Sequence, residues 1–118
     1  MRISYNGKSI DNSYKDKYVS FAILTENNFI GFCYCLKDEY NKDVKFKELV
    51  KKVNTTAKKG SGDLWDHYDI TKRDIYSVKC HQYMRKLNKY ANKNNIHLFD
   101  SYSDVKKYLQ ENENVDAL

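Results

Sequence analysis

A chain of 118 residues with 41% apolar residues, 14% aromatics and a net charge of +5 fits a single domain, residues 1–118, able to bury a core without disulfide or metal staples. No apolar run approaches the ~20 residues that span a bilayer, and the polar opening MRISYNGKSIDNSYKDKY lacks the apolar stretch of a secretory signal, so no membrane partner is expected. Three cysteines without framework spacing favour free thiols in a reducing cytoplasm.

Two short alternating runs flank Asn6-Gly7 in ISYNGKSI, which is the signature of a hairpin with a type I′ turn. KYVSFAIL alternates next, with Val19, Phe21 and Ile23 on one face. TENN turns the chain into FIGFCYCL, which places Ile30, Phe32, Tyr34 and Leu36 on one face and Phe29, Gly31, Cys33 and Cys35 on the other. The spacing predicts a small antiparallel sheet over 2–36.

DVKFKELVKKVNTTAKKG predicts a helix with Asp43 as N-cap and Gly60 just past its end. Phe46, Leu49, Val50, Val53 and Ala57 form its stripe, edged by Lys45, Lys52 and Lys59 on one side and Lys47, Lys51 and Lys58 on the other. GSGDLWDHYDI breaks that pattern as a loop. TKRD, with Thr71 and Asp74 as a capping box, opens a helix of about six turns that ends near NKNN. Its stripe is Tyr76, Cys80, Tyr83, Leu87 and Tyr90, widened by Met84 and Ala91. Another face carries Lys72, Lys79, Lys86 and Lys93 at seven-residue intervals, with Arg85 and Lys89 alongside. IHLF is a short strand. SYSD, capped by Ser101, opens a short last helix with Val105, Tyr108 and Leu109 inward, and 112–118 reads as a frayed acidic tail. The expected fold is α+β: a mainly antiparallel sheet of about four to five strands, with two long basic helices and a short C-terminal helix packed on one face.

Four groups of residues invite chemistry. Cys33 and Cys35 share a strand face roughly 6.5–7 Å apart, too far for an easy disulfide. With Cys80 they make a conceivable three-thiol site, but zinc takes about four ligands, and small core hydrophobes are the simpler reading. Asp63, Asp66, His67 and Asp69, with Asp74 nearby, offer carboxylates that could hold Mg²⁺ beside lysines and cleave phosphodiesters. The plainer reading is an acidic loop that offsets helix charge, anchored by Trp65 and Tyr68. His97, in the apolar IHLF, reads as a satisfied core histidine.

The fourth group is the basic helices. Eighteen of the 21 basic residues are Lys, Asn is abundant and Pro is absent, a bias that AT-rich codons alone would produce. Distribution is more informative than total. Residues 42–59 carry +5 and 72–93 carry +6, with −3 on 60–71 and −3 on 94–118. Solvated helices usually mix signs in i,i+4 pairs, whereas these segments hold only Asp43, Glu48 and Asp74 as acids. Lys45, Lys52, Lys59, Lys72, Lys79, Arg85, Lys86, Lys89 and Lys93 are therefore the expected contacts to a polyanion. Only three arginines are present, so contacts to nucleic acid would be to the backbone with little reading of bases. The interleaved tyrosines resemble stacking residues, although their place in the apolar stripe assigns most to the core.

No Gly-rich phosphate loop, G-x-S-x-G, H-E-x-x-H or paired CxxC occurs. The expectation is a non-enzymatic binding protein without cofactor. Its partner is nucleic acid backbone, or an acidic protein surface within a nucleic-acid-handling complex. An accessory or inhibitory protein of a phage or plasmid would suit this profile by association. The alternatives are a small metal-dependent nuclease or toxin built on the Asp63–Asp69 loop, and a pure protein-interaction module.

Overall fold

The computed structural model describes the backbone of residues 14–61 and 70–117, and the side chains of 14–61 and 73–112. The expected hairpin at residues 2–10 and the loop 62–69 lie outside the described residues. Strands β1 (Tyr18–Leu24) and β2 (Ile30–Leu36) pair antiparallel with Phe21 opposite Cys33 and Val19 opposite Cys35. The turn between them is built by Thr25, whose amide donates to the Phe29 carbonyl at 2.9 Å and whose hydroxyl accepts from the Phe29 amide at 3.1 Å. Asn28 takes the left-handed conformation there, φ 63°, which asparagine tolerates better than most residues. The short β3 (Leu98–Phe99) adds to β2 antiparallel, giving the order β1-β2-β3. Among the described residues the sheet thus has three strands, short of the four to five expected.

Among the described residues four helices accompany it, in place of the three expected. α1 (Lys37–Lys42) follows β2 directly and has no buried residue, so no apolar periodicity announces it. α2 (Val44–Gly60) is capped as expected, with the Asp43 carboxylate accepting from the Phe46 amide at 3.1 Å. α3 (Ile70–Lys93) starts one residue before Thr71, so Thr71 lies inside the first turn and is not its cap. It ends at a left-handed Asn95, φ 56°, with the Ile96 amide reaching back to the Ala91 carbonyl at 2.9 Å. This is a Schellman closure, and Ile96 packs onto the core beyond it. α4 (Tyr102–Ala117) is opened by Ser101, whose hydroxyl accepts from the Asp104 amide at 3.1 Å. It runs through the segment expected to fray and is not short.

The core lies on the cysteine face of the sheet. Phe21, Cys33 and Cys35 join Phe46, Val50, Val53 and Ala57 of α2 with Cys80, Leu87 and Ala91 of α3 in one buried cluster. The Ala22 amide donates to Asn54 Oδ1 of α2 at 2.9 Å, so the edge of β1 that pairs with no described strand is partly closed. Gly60 is the last residue of α2 and not a left-handed cap: a Cβ there would lie 2.5 Å from the Ser77 nitrogen of α3. Glycine is used at this point because two helix backbones meet.

α4 departs from the expected layering. Tyr18, Tyr34 and Phe99 alternate with the cysteine face, and their rings meet Tyr102 and Tyr108 of α4. α4 therefore covers the opposite face of the sheet, where Val105 is fully buried. His97 is not a core residue. Its side chain is 43% exposed, held between Phe99 and Tyr108, with Nδ1 3.1 Å from Glu39 of α1. β3 begins only at Leu98, which leaves His97 at the rim.

Candidate functional site

The two long helices hold thirteen Lys and Arg against two acidic residues, Glu48 and Asp74. They run antiparallel, and their facing edges interlock lysine with tyrosine. Lys45 lies over the Tyr90 ring at 5.2 Å, Lys52 over Tyr83 at 5.6 Å, and Lys59 over Tyr76 at 5.1 Å. From α3 itself, Lys79 reaches the Tyr76 ring at 6.0 Å and Lys86 the Tyr83 ring at 5.7 Å. Seven residues separate each rung from the next on both helices, about two turns or 10.5 Å.

The cause is local. Seven-residue spacing keeps a side chain on one edge of a helix. Each tyrosine is half-buried, with its body on the helix seam and its ring within reach of an ammonium group. Such contacts contribute ~0.5–1 kcal/mol each when exposed. They order flexible lysine stems without neutralising the charge. Tyr90 closes one end of the ladder differently: its hydroxyl donates to both Asp43 oxygens, at 2.9 and 2.7 Å. That bond holds the Asp43 carboxyl below its ordinary pKa, helped by the Phe46 amide, and raises the Tyr90 phenol. The Asp43 carboxylate is thus occupied by capping and by Tyr90.

At the middle rungs an open recess of about 280 Å³ is lined by Lys51, Lys52, Thr55, Thr56, Tyr76, Lys79 and Tyr83. Thr56 is committed to the helix, its hydroxyl donating to the Lys52 carbonyl at 2.7 Å. Lys51 and Thr55 extend the site beyond the residues expected from sequence.

Of the expected contacts, Lys45, Lys52, Lys59, Lys79 and Lys86 are brought together, all exposed. Arg85, Lys89 and Lys93 are exposed on α3 outside the ladder. The Lys72 side chain lies outside those described. Tyr83 and Tyr90 do touch the core, as the stripe implied, but only in part. The ladder was signalled by two matched series, Lys45-Lys52-Lys59 ascending as Tyr90-Tyr83-Tyr76 descends.

The other groups fare differently. Cys33, Cys35 and Cys80 are buried free thiols. Burial pushes Cys33 up to about 11, while burial and then the neighbouring Cys33 push Cys35 up to about 12. Such thiols are poor nucleophiles and poor ligands at neutral pH. Cys80 Sγ instead donates to the Val53 carbonyl at 3.7 Å. Among the described residues no three His, Cys, Asp or Glu side chains gather as a metal site. Asp63, Asp66, His67 and Asp69 lie outside the described residues. Among the described residues, no helix is long and apolar enough to cross a membrane. No family model, curated protein or solved structure matches the chain.

Proposed function

We propose that the α2–α3 face binds nucleic acid through its phosphate backbone. The observation that supports this is the ladder: five exposed lysines ordered over three tyrosine rings, on helices with almost no compensating acid. Five ammonium groups gathered on one face repel one another. A polyanion relieves that repulsion and gains by releasing its condensed counterions. Five phosphate contacts imply a log–log salt slope of about −4 to −5. The test is fluorescence anisotropy with a labelled oligonucleotide between 50 and 200 mM salt (roughly the range over which counterion release is read). A Lys52→Glu, Lys79→Glu, Lys86→Glu variant with an unchanged circular-dichroism spectrum should bind at least ~100-fold more weakly. Equal affinity in that folded variant refutes the reading.

One observation favours an acidic protein surface as a second reading. Ile75 and Val78 are 49% and 57% exposed on α3, beside Lys79. Nucleic acid backbone has little use for them, whereas a protein interface buries such residues at its centre. A protein that copurifies after nuclease treatment, and is lost with Ile75→Ser, Val78→Ser, would favour this alternative.

A further inference from the structure

The ladder leaves its rings little room for bases. Stacking needs a ring face open to van der Waals contact, and single-strand binders gain ~1–3 kcal/mol per stacked base that way. Here Tyr76 has ammonium groups at 5.1 and 6.0 Å, from Lys59 and Lys79, and Tyr83 has them at 5.6 and 5.7 Å, from Lys52 and Lys86. A base placed on either ring would displace the cations that meet the phosphates. The third ring, Tyr90, carries Lys45 and is tied to Asp43. Without stacking, a single strand offers only its charge. Duplex offers more of it, one phosphate per about 1.7 Å of axis against about 3.4 Å for one strand. From Lys45 to Lys59 the ladder covers about 21 Å of helix, the length of about six base pairs.

We infer that the ligand of this face is double-stranded nucleic acid gripped through phosphates alone, with the tyrosine rings closed to bases. The inference rests on the nucleic-acid reading above, and its failure can be told apart from the failure of that reading. Three probes of equal length are compared at one salt concentration: a DNA duplex, one of its strands, and the same strand made abasic. The expected result is a duplex at least ~10-fold tighter than the strand, with the abasic strand within about twofold of the ordinary one. A strand as tight as the duplex, or an abasic strand weaker by tenfold or more, overturns the inference and leaves nucleic-acid binding standing. No binding to any probe overturns both. A Tyr83→Leu variant adds a second readout. It should weaken duplex and abasic strand alike, because the ring positions two lysines. A variant that weakens only base-bearing strands would identify Tyr83 as a stacking residue and refute the claim.

Discussion

The two sides of the sheet use aromatic rings in opposite ways. On the α2–α3 side, Tyr76, Tyr83 and Tyr90 lie under ammonium groups. On the α4 side, rings meet rings: Tyr18, Tyr34 and Tyr102 lie within 5.6–6.5 Å of one another, and His97, Phe99 and Tyr108 within 4.8–6.1 Å. The first arrangement organises charge at a surface. The second fastens a helix to a sheet, at ~0.5–1.5 kcal/mol per ring pair beyond area burial. A tyrosine's role is therefore set by its neighbour more than by its own chemistry.

The largest test of that contrast is at the seam. Gly60→Ala would place a methyl 2.5 Å from the Ser77 nitrogen, where only backbone movement can relieve the clash. Overpacking of this kind costs about 1–3 kcal/mol, more than the gain of up to ~1 kcal/mol from alanine's helix propensity. Urea unfolding should show the loss. The proposed nucleic-acid affinity should fall with it, since Lys59 and Tyr76 sit at the same end of the seam.

A second test separates the two sides. Phe99→Ala removes a ring from the α4 side and should lower stability by about 1–2 kcal/mol without changing nucleic-acid affinity. Lys86→Gln should do the reverse. Its stability change stays within ~0.5 kcal/mol, while the salt slope falls by about 1. If Phe99→Ala altered affinity as much as Lys86→Gln, the division between the sides would be wrong.

The smallest effect is expected at the Asp43–Tyr90 pair. Asp43 has a lowered pKa in the folded protein, so its contribution is present above the unfolded carboxylate value and is lost as pH falls through the folded one. Tyr90 has a raised pKa, so its share is present below the unfolded phenol value and is lost as pH rises through the folded one. Wild type should exceed Tyr90→Phe in urea midpoint by a constant margin between about pH 5 and 9. The margin should shrink at both extremes. A margin unchanged at about pH 3 would show that the hydrogen bond's contribution to folding does not depend on ionised Asp43.

Much of this was legible because it depends on periodicity. Strand alternation placed Cys33 and Cys35 together, Asp43 was recognisable as a cap, and the seven-residue series put Lys45, Lys52 and Lys59 on one edge of α2 and Tyr76, Tyr83 and Tyr90 on the apolar stripe of α3. What escaped has other causes. α1 buries nothing, so no pattern marks it. The reason for Gly60 lies in Ser77, seventeen residues away, and a local rule for helix ends read it as a cap. α4 was assigned to the wrong face because both faces of β2 carry apolar or aromatic side chains, and alternation alone does not say which helix covers which. The lysines over the rings could not be read from either helix by itself.

The seven-residue interval of the ladder has a geometric limit. Seven residues fall about 20° short of two full turns in a straight helix. From Tyr90 to Tyr76 the rungs therefore rotate by roughly 40° around α3, and the lysine row slants across the helix instead of running along it. A fourth rung would begin to turn away from the partner helix unless the pair supercoiled. The face is thus bounded in length by helix geometry and not by the number of lysines. Basic residues added beyond its ends would raise the protein's charge without lengthening its footprint.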